Sequence, residues 1–264
     1  MRRLPLVSVL LLLTIASTLG AHDLFLKLDS YFVAPGSRLL VRVLNGTFST
    51  SEGAVARDRV RDIAVVTPAG RTRLDTAAWA VRGDTSLLTV TTRESGTYVI
   101  GASIRPLEIK LEAKEFNEYL AHDGVPDVLE ARRKAKELDR PARERYSKHV
   151  KALVQVGPRL TDGYETALGY PAELVPLDNP YALRRGDMLR VRAVVDGEPV
   201  ANQLVITGGP TAERSVRTDS TGLARFRLGS RGAWYVKFIH MKPVAGDSTI
   251  DYESKWATLT FGVR

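Results

Sequence analysis

The stretch ARERYSKHVKALVQV, residues 142–156, decides how the chain is divided. Ala, Arg, Glu and Lys dominate its first half, and Tyr146, Val150 and Leu153 fall on one stripe at helical spacing. Read as a helix, it continues a region that loses its strand pattern at Ala113. Phe116, Tyr119 and Leu120 share one face of a short helix there. Pro126 sits where a second helix can start, and Asp139-Arg140-Pro141 interrupts the run before Ala142. The spacing therefore predicts a helical insertion over 113–158 that separates two β-rich segments.

Outward from it, both flanks read as β. On the N-terminal side LFLKL (24–28), SRLLVRVLNG (37–46), RDIAVVTP (61–68), SLLTVTT (86–92) and GTYVIGASI (96–104) carry strand alternation bounded by Gly, Pro or Asp. On the C-terminal side MLRVRAVVDGEPVANQLVITG (188–208) reads as a hairpin turning at Asp196-Gly197. Residues 215–241 add three strands, and KWATLTFGV (255–263) closes the sheet. The expectation is a mainly β protein of two antiparallel sandwich domains, 21–112 and 159–264, joined by the helical insertion.

The first twenty residues fix the expected compartment. Arg2 and Arg3 precede an apolar run from Leu6 to Ile15, and Thr18 and Gly20 place small residues at −3 and −1. That is a secretory signal peptide over 1–20, with Ala21 first after cleavage, or His22 if cleavage falls one residue later. No later stretch is long and apolar enough for a transmembrane helix, so a soluble periplasmic or secreted protein is expected. The formal charge of +8 falls to +6 without Arg2 and Arg3. Its basic residues are interleaved with acidic ones, which argues for solvated faces and against nucleic-acid binding. With no Cys, neither disulfides nor thiolate ligands are available.

Several long blocks carry a family resemblance. They are AHDLFLKLDSYFVAPGSRLLVRVLNGTF (21–48), FNEYLAHDGVPDVLEARR (116–133), RERYSKHVKALVQVG (143–157), the run from GYPAELVPL to VANQLV (169–205), and WYVKFIHM with DYESKWATLTF (234–241, 251–261). Together they resemble the bacterial DUF4198 family, described in places as nickel-uptake-associated periplasmic proteins. Within them VVDGEPVANQLVITG, RTDSTGLARFRL and GAWYVKFIHM look like a transthyretin- or prealbumin-like sandwich. The resemblance implies a non-catalytic protein that binds nickel or cobalt and supports uptake through a membrane metal-transport component. Some relatives carry a His-rich loop after the NQLV strand, whereas ITGGPTAERSVRTD (206–219) has no His.

Four histidines are therefore the candidate metal ligands: His22, His122, His149 and His240. Imidazole suits Ni, Co, Cu and Zn alike, so copper and zinc stand as alternatives. His22-Asp23 and His122-Asp123 pair imidazole with carboxylate, and His240 precedes Met241 with Asp251 and Glu253 on the returning segment. For each a plain structural role stands beside the metal role. His22 at a processed N-terminus would also permit a copper brace and oxidative chemistry. No Gly-x-Ser-x-Gly elbow, phosphate loop or zinc helix motif occurs. The alternative is a structural or carbohydrate-contacting module, with Trp234, Trp256, Phe226, Phe238 and Phe261 either filling the core or forming a sugar platform.

Overall fold

The computed structural model describes residues 22–264. The signal peptide, its cleavage point and Ala21 lie outside the described residues. Among the described residues seventeen strands form three sheets. The first runs β1 (Asp23–Lys27), β3 (Arg38–Gly46), β7 (Thr85–Thr91), β6 (Trp79–Arg82). A small sheet runs β10 (Ala172–Pro176), β11 (Met188–Val195), β12 (Glu198–Pro199), with β15 (Leu223–Arg227) also on β11. Between them lies a nine-stranded sheet. Its order is β14 (Arg214–Arg217), β13 (Leu204–Gly208), β16 (Gly232–Pro243), β17 (Tyr252–Val263), β9 (Ala142–Val156), β8 (Gly96–Leu111), β4 (Val60–Thr67), β5 (Gly70–Arg73), and β2 (Phe32–Val33) pairs with β9. The protein is thus mainly β and sandwich-like, with two helices, α1 (Ala113–His122) and α2 (Pro126–Ala135).

The helical expectation for 142–156 is corrected: this stretch is β9, at the middle of the large sheet. It pairs antiparallel with β8 from Gly96↔Val156 to Leu111↔Ala142, and parallel with β17 from Tyr252↔Glu144 to Thr260↔Ala152. Val150, Ala152, Val154 and Val156 pack toward the first sheet, while Leu153 packs toward the small sheet. A strand covered on both faces has no polar side, so period-2 alternation vanishes and helix-forming composition misleads. The expected insertion is helical only over its first half. Strands from both expected sandwich segments meet in one sheet across β9 and β17.

The other expected elements form near their predicted places. The Asp196-Gly197 turn joins β11 only to the two-residue β12, through Val194↔Pro199 and Val195↔Glu198. The chain then leaves that sheet, and β13 joins the large one instead. In α1 a capping box between Glu112 and Glu115 secures the N-terminus, and Phe116, Tyr119 and Leu120 are the buried face. Pro126 opens α2, whose Arg132 is buried. Its guanidinium donates to Asn117 Oδ1 and to the Glu137 and Arg140 carbonyls, so it pins the turn after α2.

The two faces of the large sheet carry different loads. One bears the first sheet and, beside it, α1 and α2 over Ile239, Met241, Tyr252 and Trp256. The other bears the small sheet. Thr258 and Thr260 donate to the Leu24 and Leu26 carbonyls, which fastens β1 onto β17. The start of β1 thereby comes to lie where the first sheet, the helical pair and the large sheet meet.

Candidate functional site

A buried polar seam occupies that meeting point. β16 delivers Lys237, β9 delivers Glu144 and Lys148, β1 delivers Asp23, and the end of α1 brings half-buried Asp123 to its rim with exposed His122 beside it. Lys237 Nζ donates to Asp23 Oδ2 at 2.5 Å, with Glu213 3.9 Å away. Lys148 Nζ donates to the His22 carbonyl and to Asn45 Oδ1, the latter at 3.0 Å. Glu144 Oε1 accepts from Ser254 Oγ and from Tyr119 Oη. Glu144 Oε2 and Asp23 Oδ1 are buried with no partner among the described residues.

Burial sets the proton affinities of the seam. It pushes the Asp123 carboxyl up to about 7; the Asp23 charge adds to that, and Lys237, His122 and Lys148 oppose it. It lowers the Lys148 ammonium to about 8, against the pull of Asp23. It also raises Glu144, whose bonds from Ser254 and Tyr119 act the other way. Burial opposes the charge on Lys237, but Asp23 outweighs it and the net displacement is upward.

The four candidate histidines do not converge. Among the described residues no three His, Asp or Glu side chains are grouped so as to hold a metal ion. His22 and His122 belong to the seam side. His22 Nε2 lies 3.5 Å from Glu52, and exposed His122 points Nδ1 at the Glu118 carbonyl at 2.7 Å. A carbonyl only accepts, so Nδ1 carries a proton and Nε2 is the nitrogen turned away from the helix's own carbonyl. Metal-binding imidazoles are commonly oriented this way.

His149 and His240 lie toward the opposite face. His149 is buried, with Ser103 Oγ 2.9 Å from Nδ1 and Ser147 Oγ 3.1 Å from Nε2, so neither nitrogen is free. Burial, with Arg61 and Lys255 adding, lowers it to about 3. His240 donates from Nδ1 to Gln203 Oε1 at 2.9 Å, and its Nε2 has no partner. The Gln203 orientation is fixed because its Nε2 donates to the Leu204 and Ile239 carbonyls. Burial, then Lys242 and Lys255, lowers His240 as well.

Sequence reasoning missed Lys148, Lys237 and Glu144. Their signal was present: with 142–156 taken as a strand, Glu144, Tyr146, Lys148 and Val150 share one face, and two charges inside a doubly covered strand need partners. The five aromatic residues weighed as a sugar platform are all buried. Trp234, Phe226, Phe238 and Phe261 fill the core under the small sheet, whereas Trp256 lies under the helices, stacked on Tyr119.

The match to a family model extends over residues 19–242, and its description is "Domain of unknown function (DUF4198)". The chain belongs to DUF4198. No curated protein matches this DUF4198 chain. Among solved structures it is similar to the D0-D1 domain of intimin, at 13% identity over 90% of this chain and 97% of that one, with a TM-score of 0.22. It is similar to a DUF4785 family protein from Legionella pneumophila, at 12% identity over 80% and 50% (TM-score 0.24). It is also similar to Escherichia coli alpha-2-macroglobulin activated by porcine elastase, at 12% identity over 92% and 20% (TM-score 0.26). At these scores the structural likenesses carry no argument. No helix among the described residues is long and apolar enough to cross a membrane.

Proposed function

We propose that this DUF4198 protein is an exported, non-catalytic metal-handling accessory that takes up a nickel or cobalt ion at the seam of His22-Asp23 and His122-Asp123. What supports the reading is that Asp23 and Asp123, each next to a histidine and a hundred residues apart in the chain, lie near enough for Asp123 to feel the charge of Asp23, although the four side chains form no ready-made ligand group. Two imidazoles and two carboxylates are borderline-to-hard donors that suit divalent Ni or Co, with copper and zinc as competitors. His149 is withdrawn from the ligand set because both its nitrogens are engaged, and His240 lies apart from the seam.

A donor set this sparse suits delivery better than storage. Ligand positions left to water or to a membrane transport partner allow the ion to exchange, whereas a closed four-ligand cage would retain it. The transthyretin-like reading of the C-terminal third belongs to the same proposal, as the scaffold that holds β16 and β17 behind the seam.

Calorimetric titration of the mature protein with Ni(II), Co(II), Cu(II) and Zn(II) tests it. His22→Ala and His122→Ala are each expected to weaken binding at least about tenfold, and His240→Ala to leave it unchanged. If no metal binds more tightly than about 10 μM, near −7 kcal/mol, the proposal fails.

A further inference from the structure

A cleft of about 250 Å³ opens at the far edge of the large sheet, between the β4–β5 hairpin and the segment before β10. Arg61, Asp62, Arg71, Arg73, Ser103 and Tyr170 line it. Three arginines thus line the cleft around one carboxylate. That carboxylate is already shared: Arg73 Nε is 2.9 Å from Asp62 Oδ1, Arg71 reaches Oδ2 only at 3.5 Å, and Tyr170 Oη donates to Oδ2 at 2.9 Å. Arg73 also donates to the Arg61 carbonyl at 2.8 Å, which holds the hairpin closed. The Arg61 side chain has no ion-pair or hydrogen-bond partner among the described residues.

The backbone contributes to this arrangement. Strand alternation puts Ala64 and Val66 on the small-sheet side of β4, and Ala64↔Arg73 and Val66↔Arg71 put both β5 arginines on that side too. Regular alternation would send Arg61 the other way. The β4–β8 register shifts between Val60 and Asp62, so a bulge falls on Arg61. Bulges re-aim a side chain, and here the bulged residue lines the same cleft as Arg71 and Arg73. Its charge is felt by His149, which bonds Ser103 at the cleft floor. Guanidinium forks match planar and tetrahedral oxyanions, and two of these three have donors to spare.

We infer that this cleft is a binding site for a small multivalent oxyanion, of the phosphate or polycarboxylate class, gripped by Arg61 and Arg71 with Arg73 held in place by Asp62. The site is separate from the metal seam, which lies on the opposite face of the sheet.

The test is calorimetric titration of the mature protein with inorganic phosphate and, separately, with citrate, at ionic strength held constant with sodium chloride. Saturable one-to-one binding with a Kd below about 1 mM is expected for at least one of the two. Phosphate alone marks a phosphate-class ligand, and citrate alone a polycarboxylate. Arg61→Ala and Arg71→Ala are each expected to weaken binding about tenfold or more, with Arg61→Lys retaining part of it. Both side chains are exposed, and an unchanged melting temperature establishes that the fold survives. Arg82→Ala, an exposed arginine on β6, serves as the control for general attraction to a basic protein. Binding weaker than about 1 mM for both anions, or an Arg82→Ala loss equal to that of Arg61→Ala, overturns the inference.

Discussion

Lys237 Nζ lies 2.5 Å from Asp23 Oδ2, and the two side chains, 214 residues apart in sequence, are 8% and 10% exposed. This pair fastens the first residue of β1 to the large sheet. Breaking a buried pair strands a charge, which costs about 3–5 kcal/mol, whereas replacing both partners with apolar groups is often close to neutral. Lys237→Met is therefore expected to lower stability by about 3 kcal/mol in urea denaturation, and Asp23→Leu combined with Lys237→Met to recover most of it. Additive losses in the double variant would show that the two side chains act separately.

Because β9 and β17 pair along nine residues, from Tyr252↔Glu144 to Thr260↔Ala152, the segments on either side of the helices share one sheet. Neither can lose its strands without exposing the other's backbone donors and acceptors. Calorimetry is expected to give one unfolding transition, with calorimetric and van't Hoff enthalpies in agreement. Two resolved transitions would restore the picture of independent sandwich domains.

What the sequence made legible follows from which faces are wet. The strands β3 and β7 show buried and exposed residues in turn, and alternation located both within a residue or so. Phe116, Tyr119 and Leu120 predicted the buried face of α1, and Pro126 its neighbour's start. β9 was illegible because both of its faces are covered and it buries Glu144, Lys148, His149 and Lys151 where a core strand is expected to be apolar. The Asp196-Gly197 turn was found, but not that β13 departs to another sheet, since sheet membership is set by long-range pairing that no local pattern records. The nearness of Asp23 to Asp123 depends on the same long-range geometry.

His149 gives a pH signature. Its proton affinity is lowered to about 3 in the folded chain, against an ordinary value near 6.5 when unfolded, so between those values the unfolded state binds more protons. Stability is then full above about pH 6.5 and falls as pH drops toward 3, by a total on the order of 4 kcal/mol from this group. His149→Gln keeps a polar side chain between Ser103 and Ser147 without the ability to charge. Its urea midpoint is expected to fall less steeply than that of the unaltered protein between pH 6.5 and 4. Parallel midpoint curves would mean that His149 charges without penalty in the fold.

Arg132 is a buried cation that shares its donors between side chains and two main-chain carbonyls. Its bonds to the Glu137 and Arg140 carbonyls, and its guanidinium 4.9 Å from the Phe116 ring centroid, close the turn between α2 and β9. Arg132→Met fills the volume but leaves both carbonyls without this donor, a loss of about 2–3 kcal/mol. Hydrogen exchange is expected to quicken first in α2 and the turn after it, with β16 and β17 unaffected. Uniform quickening across the sheet would instead place Arg132 in the global core.

Asp123 links stability and metal binding with opposite signs. Its carboxyl is raised to about 7 by burial and by Asp23, so the folded state holds a proton that the unfolded state has released above about pH 4. The group's contribution to stability is thus fully present at low pH and is lost as pH rises through 7. Asp123→Asn is expected to raise the urea midpoint at pH 8 and to leave it unchanged at pH 4. For a metal the direction reverses, because a carboxylate coordinates only after losing its proton. Nickel affinity of the unaltered protein should exceed that of Asp123→Asn by about tenfold at pH 8, and the two curves should converge as pH falls below 6. A stability difference without a difference in nickel affinity would leave Asp123 as a buried structural acid and remove it from the proposed ligand set. Nickel curves that differ by the same factor at every pH would show that its proton does not compete with the metal.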